Sequence, residues 1–132
     1  MRFLQIFIFV ITTLLMSCNK NDENNINSEK SIIGTWQLIE RFDGGSPTPI
    51  QNIENGEIIV FNPDLTYSNN TFSCDGSYII NNSNIIEILV PCISSDNLTY
   101  TFSFENGYLL MTSTPLACDE GCYDKYKRLN SE

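Results

Sequence analysis

Histidine is absent from the chain. Its absence removes the commonest general base, the usual catalytic triads and the commonest metal ligand. Basic residues are scarce too: 7 Lys and Arg stand against 16 Asp and Glu, a net charge of −9. Nucleic acid and anionic membrane surfaces select basic patches, so neither is expected as a partner. Carboxylate catalysis stays chemically open through Glu40 and Glu87, but both read more simply as ordinary strand residues. The expectation is therefore a protein that is not an enzyme and carries no cofactor. No apolar run reaches the ~20 residues of a spanning helix. No long window keeps a 3.6-residue period either. The length, 132 residues, is that of one domain.

What is present begins with a targeting pattern. Met1-Arg2 gives a short positive start, and the 14 residues from Phe3 to Met16 are broken only by Gln5, Thr12 and Thr13. That suits the apolar region of a secretory signal better than a membrane span. Leu15-Met16-Ser17-Cys18 then resembles the bacterial lipobox, with Leu at −3, a small residue at −1, and Cys. The resemblance implies that residues 1–17 are a helical lipoprotein signal peptide, removed on export. It also implies that Cys18 is the lipid-attachment residue. Each buried acyl CH₂ contributes about 0.8 kcal/mol, so several chains anchor a protein without a spanning helix. The membrane, reached through those chains, is the first expected partner.

Residues 18–31, "CNKNDENNINSEKS", hold almost nothing that can be buried, so a flexible tether is expected there. Lys20 followed by Asp22-Glu23 resembles the charged signal that sends some Bacteroidetes-type lipoproteins to the cell surface. The implied location is the outer membrane, on the surface face.

Residues 32–132 carry the punctuation of hairpins. "FNPDLTY" (61–67) sets Pro at the second position of a turn. "SCDGSY" (73–78) and "FENGYL" (104–109) carry Asp-Gly and Asn-Gly, and "INNSNI" (80–85) is a further turn. "LTYTFSFE" (98–105) alternates without error, Leu98, Tyr100, Phe102 and Phe104 facing one way. Eight strands follow, over about 34–42, 57–62, 65–73, 77–81, 84–90, 98–105, 108–114 and 123–129. Eight strands joined in sequence by turns close most simply into an up-and-down antiparallel β-barrel, which removes exposed edges. Alternating their direction puts the short turns at 63–64, 82–83 and 106–107 at one end. The long connections 43–56, 74–76, 91–97 and 115–122 fall at the other.

A cup with one tight end and one loop-rich end, a Gly-x-Trp in "IIGTWQLIE" (32–40) and an Arg in "YKRL" (126–129) together resemble the small lipocalin-like domains of bacterial lipoproteins. The resemblance implies that Trp36 plugs the closed end with Arg128 across it, and the strand directions put both at the short-turn end. It also implies a small hydrophobic ligand entering at the mouth. Inward alternation nominates Leu38, Tyr67, Tyr100, Phe102, Met111 and Tyr126 as the cavity lining, with Phe104 and Leu109 deeper at the closed end. The barrel region is short for that family and lacks the helix that usually follows it. An eight-stranded barrel can also be filled entirely by side chains.

Export implies an oxidising compartment, where Cys74, Cys92, Cys118 and Cys122 are expected in disulfides rather than as metal ligands. A turn centred near Asn82-Ser83 sets Cys74 opposite residue 91, which favours a Cys74–Cys92 link and leaves Cys118 with Cys122. Pairings between loops, such as Cys92 with Cys118, remain reachable. Two functions stay in play: a lipid-anchored binder of a small hydrophobic ligand, and a surface module whose disulfide-shaped loops contact another protein.

Overall fold

The computed structural model describes residues 31–45, 50–82, 84–115 and 121–129. Within them the chain is all-β. The strands are β1 (Gly34–Phe42), β2 (Gln51–Asn52), β3 (Ile58–Phe61), β4 (Thr66–Asn69), β5 (Gly76–Asn81), β6 (Ile85–Leu89), β7 (Leu98–Glu105), β8 (Tyr108–Thr114) and β9 (Tyr123–Leu129). Every pairing is antiparallel: β1 pairs with β2, β3 and β9, and from β3 to β9 each strand pairs with the next in sequence. Eight strands thus close an up-and-down barrel with no free edge.

β2 is the strand the sequence did not reveal. The 43–56 connection, read as a strandless loop, folds Gln51 and Asn52 back against Arg41 and Glu40. It continues the side of β1 that β3 vacates beyond Gln37. The other correction is β4. It ends at Asn69 rather than residue 73, because the Asn69 side chain turns the chain by accepting hydrogen bonds from Thr71 N and Oγ1. An Asx turn of this kind offers the backbone an alternative to the ladder.

The hairpins follow local chemistry. Asn106 and Gly107 sit at φ 52° and 83°, the left-handed pair that a two-residue hairpin needs. Asp64 caps the β3–β4 turn by accepting from Thr66 N and Oγ1. Those bonds to its charged form hold its carboxyl below the usual range. The β5–β6 register pairs Ser77 with Leu89 and Asn81 with Ile85. The ladder therefore runs one residue away from the expected register and brings Cys74 opposite Cys92 itself rather than residue 91.

The core fills the middle and the closed end. Trp36, Ile86 and Leu109 are fully buried, and Ile59, Phe61, Tyr78 and Val90 nearly so. Phe61 packs against Tyr67 and Tyr78 at ring-centroid distances of 5.3 and 5.1 Å. Leu38, Phe102, Leu109, Met111 and Tyr126 all point inward, as alternation requires.

The closed end is built on Gly34, Trp36 and Arg128. The Trp36 indole donates to the Ile32 carbonyl at 2.8 Å. Across the β1–β9 ladder the Arg128 guanidinium lies 4.2 Å from the centroid of the Trp36 ring. The same group donates to the Ile33 carbonyl at 2.9 Å and to the Ser31 carbonyl. Gly34 has φ 141°, and a Cβ there would sit 2.5 Å from Arg128 Nη1. The glycine of the Gly-x-Trp pattern is thus the space over which the arginine lies.

Candidate functional site

The mouth half of the barrel sets charged and polar side chains among apolar ones such as Ile88, Val90 and Leu98, and its charges arrive by two routes. The first is simple alternation. Glu57 shares the parity of Ile59 and Phe61, while Asn69 shares that of Tyr67, so both face inward. The second is a β-bulge between Leu38 and Glu40 against β9. A bulge inserts one residue and reverses the facing of everything beyond it. Trp36 and Leu38 face in before it; after it Arg41 does, opposite Asp124. Gly56 makes room for this crossing. A Cβ on Gly56 would stand 2.2 Å from the Leu38 carbonyl oxygen.

These groups enclose a cavity of about 140 Å³, walled by Arg41, Glu57, Tyr67, Asn69, Tyr100 and Tyr126 among others. Arg41 grips Asp124 in bidentate fashion, Nε to Oδ1 at 2.6 Å and Nη2 to Oδ2 at 2.9 Å. That hydrogen bond raises the already high affinity of the guanidinium for its proton. Glu57 is held by two neutral donors: the Tyr126 hydroxyl at 3.0 Å and Asn69 Nδ2 at 2.9 Å. Burial, followed by the charge of Glu57, pushes the Tyr126 hydroxyl well above the usual tyrosine range. Burial likewise pushes Tyr67 up to about 12 and raises Tyr100. All three phenols stay protonated at neutral pH and can donate or accept. No buried side-chain polar atom among the described residues lacks a hydrogen-bond partner. The arrangement brings a carboxylate, an ion pair and three phenols to one enclosed space.

Of the lining nominated from sequence, Tyr67, Tyr100, Met111 and Tyr126 meet here. Leu38 and Phe102 do not. Leu38 is buried on the core side of the bulge, and Phe102 faces a separate depression at the closed end. Sequence reasoning missed Arg41, Glu57, Asn69 and Asp124. Extending the inward parity of β3 and β4 by one step would have found Glu57 and Asn69. No sequence signal marks the bulge that turns Arg41 inward. The carboxylates weighed for catalysis are on other faces. Glu40 accepts from the Tyr123 hydroxyl at 2.7 Å and pairs with Lys125 at 3.4 Å, and Glu87 accepts from Asn97 at 2.9 Å. Neither lines the cavity.

The rim is stapled. Cys74 and Cys92 form a disulfide with Cα atoms 6.1 Å apart, closing a loop of about 19 residues worth roughly 3 kcal/mol on the chain-entropy estimate. Cys122 is disulfide-bonded as well; its expected partner Cys118 lies outside the described residues. So do Cys18, the signal segment and the tether up to residue 30. Among the described residues no cluster of His, Cys, Asp and Glu could hold a metal ion, and no helix is long and apolar enough to cross a membrane. No protein-family model matches the chain, and no curated protein matches it either.

Proposed function

We propose that the protein is an exported lipoprotein, anchored through acyl chains on Cys18, whose lipocalin-like barrel binds a small molecule at its mouth and catalyses no reaction. The enclosed cavity between Arg41, Glu57 and the three tyrosines carries this reading. Drug-sized ligands occupy pockets of roughly 300–1,000 Å³, so about 140 Å³ favours a compact ligand. Its charged and phenolic walls favour one with polar groups over the wholly apolar ligand the family resemblance implies. The Cys74–Cys92 staple fits an oxidising compartment outside the cytosol. The surface-module reading draws on one observation, the exposure of Ile93 beside the staple and of Ile50 on the long connection.

Native mass spectrometry of the protein purified from its own membranes tests the binding. The expected result is an adduct beyond the acylated polypeptide mass. That adduct should disappear when Met111→Trp fills the cavity and persist when the outward-facing Thr112 is changed to Ser. A binding function would be abandoned if the Met111→Trp protein, shown folded by its circular dichroism, kept the adduct in full. An unmodified Cys18 with an uncleaved signal segment would remove the anchoring part alone.

A further inference from the structure

Of the large apolar side chains exposed among the described residues, Ile50 and Ile93 lie singly on mouth connections, whereas Ile33, Leu65 and Ile80, at 41%, 50% and 44% exposure, gather at the closed end. There Ile32, Ile33, Leu65, Ile80, Phe102 and Phe104 line an open depression of about 580 Å³. Leu65 is the most telling of them. It occupies the tip of the β3–β4 turn at φ 68°, a conformation that glycine or asparagine adopts at less cost. A strained, exposed leucine does nothing for the turn, and observed strain of this kind points to function.

We propose that the closed end docks on a phospholipid bilayer, with Ile33, Leu65 and Ile80 seated at the boundary between headgroups and acyl chains. The proposal rests on the anchoring half of the function proposed above. Three features choose the bilayer as the occupant. Ser31, at the rim of the depression, is the residue through which the barrel joins the tether. Only 13 positions of sequence separate Ser31 from Cys18, so this end is the one joined most directly to the anchor. Charge then sets the tilt. The mouth half carries Glu40, Asp43, Glu54, Glu57, Asp75, Asp96 and Asp124 against Arg41 and Lys125, whereas the closed end balances Asp64 and Glu105 with Lys127 and Arg128. An anionic surface repels the mouth and tolerates the closed end. Docked in this way, the cavity opens away from the membrane.

Quenching by brominated lipid reads the docking directly. The chain from Cys18 onward contains every residue of the described barrel, and its Cys18 thiol can be coupled to a maleimide-headgroup lipid in phosphatidylcholine vesicles, native acylation or not. Tryptophan is introduced by Ile80→Trp at the closed end or Ile93→Trp at the mouth, above the buried background of Trp36. Dibromo-phosphatidylcholine should quench the Ile80→Trp signal strongly and leave the Ile93→Trp signal unchanged. Adding Leu65→Asn, which suits the turn, should reduce the Ile80→Trp quenching several-fold. Equal quenching at both ends, or none at either, overturns the proposal. So does concentration-dependent shielding of the Ile80→Trp signal without vesicles, which would assign the face to a second copy of the chain. The acyl mass on Cys18 of the native protein is read separately, so failure of the anchor and failure of the docking are distinguishable.

Discussion

Tyr67, Tyr100 and Tyr126 show what a polar interior does to single residues. Desolvation disfavours the phenolate, and the negative charge of Glu57 adds to the effect at all three hydroxyls. An acid whose folded value is raised binds its proton more tightly in the folded state. Stability from that difference is therefore complete below the unfolded value and is lost as pH rises through the folded one. For Tyr67 the window runs from 10.0 to about 12. Urea unfolding at stepped alkaline pH should show the midpoint fall across this window, with phenolate absorbance of the folded protein lagging that of the unfolded chain. An unchanged midpoint up to pH 12 would mean that these hydroxyls are wetter than their packing implies. Arg41 and Asp124 make a second case. Their side chains are 41% and 26% exposed, so solvent screens the pair, and Asp124→Asn should cost only about 1 kcal/mol despite the bidentate geometry. A loss above about 3 kcal/mol would instead show an arginine left buried without its counter-charge.

At the scale of elements, β1 does more than its sequence discloses. Its length was readable, because Gly34 and the polar run after Phe42 punctuate it, and seven further strands were found the same way from turn chemistry and alternation. Facing was readable only as far as the ladder is regular. Leu38 obeys the period and Arg41 does not, since the bulge lies in the pairing with β9, where Gly56 leaves the Leu38 carbonyl space that a Cβ would fill. Both features are tertiary. β2 escaped notice for a related reason: two exposed residues have no period, and only the vacancy beside Arg41 makes them a strand. Gly56→Ala tests this reading. A Cβ 2.2 Å from backbone oxygen must displace one of the two segments, and overpacking of that kind costs about 1–3 kcal/mol. The amide resonances of Leu38–Arg41 should move most. If the shifts centre elsewhere, the bulge does not depend on Gly56. The rim staple gives a second expectation at this scale: Cys74→Ser with Cys92→Ser should lower stability by roughly 3 kcal/mol, measured by urea unfolding against the parent.

For the molecule as a whole, charge is the term that shape leaves unbalanced. The net charge is −9, and the described carboxylates crowd at the mouth half, where the Arg41–Asp124 and Lys125–Glu40 pairs offset two of them directly. Self-repulsion of this sort opposes the compact state and is relieved by salt. Screening also weakens ion pairs, so two effects compete. The described ion pairs are Arg41–Asp124 and Lys125–Glu40, partly exposed and worth at most about 1 kcal/mol each. Raising salt from 0.01 to 0.15 M shortens the screening length from about 30 to about 8 Å. That range reaches the unpaired carboxylates of the rim long before it separates charges in contact. Repulsion should therefore dominate, and Tm should climb by a few degrees over this interval, corresponding to on the order of 1 kcal/mol. The climb should be larger in the Cys74→Ser, Cys92→Ser protein, because the disulfide holds the loops that carry Asp75 and Asp96 together against their own repulsion. A Tm that falls with salt would reverse the ranking. The two ion pairs would then outweigh the crowded rim, and the acidic mouth would have to be charge-compensated within the fold.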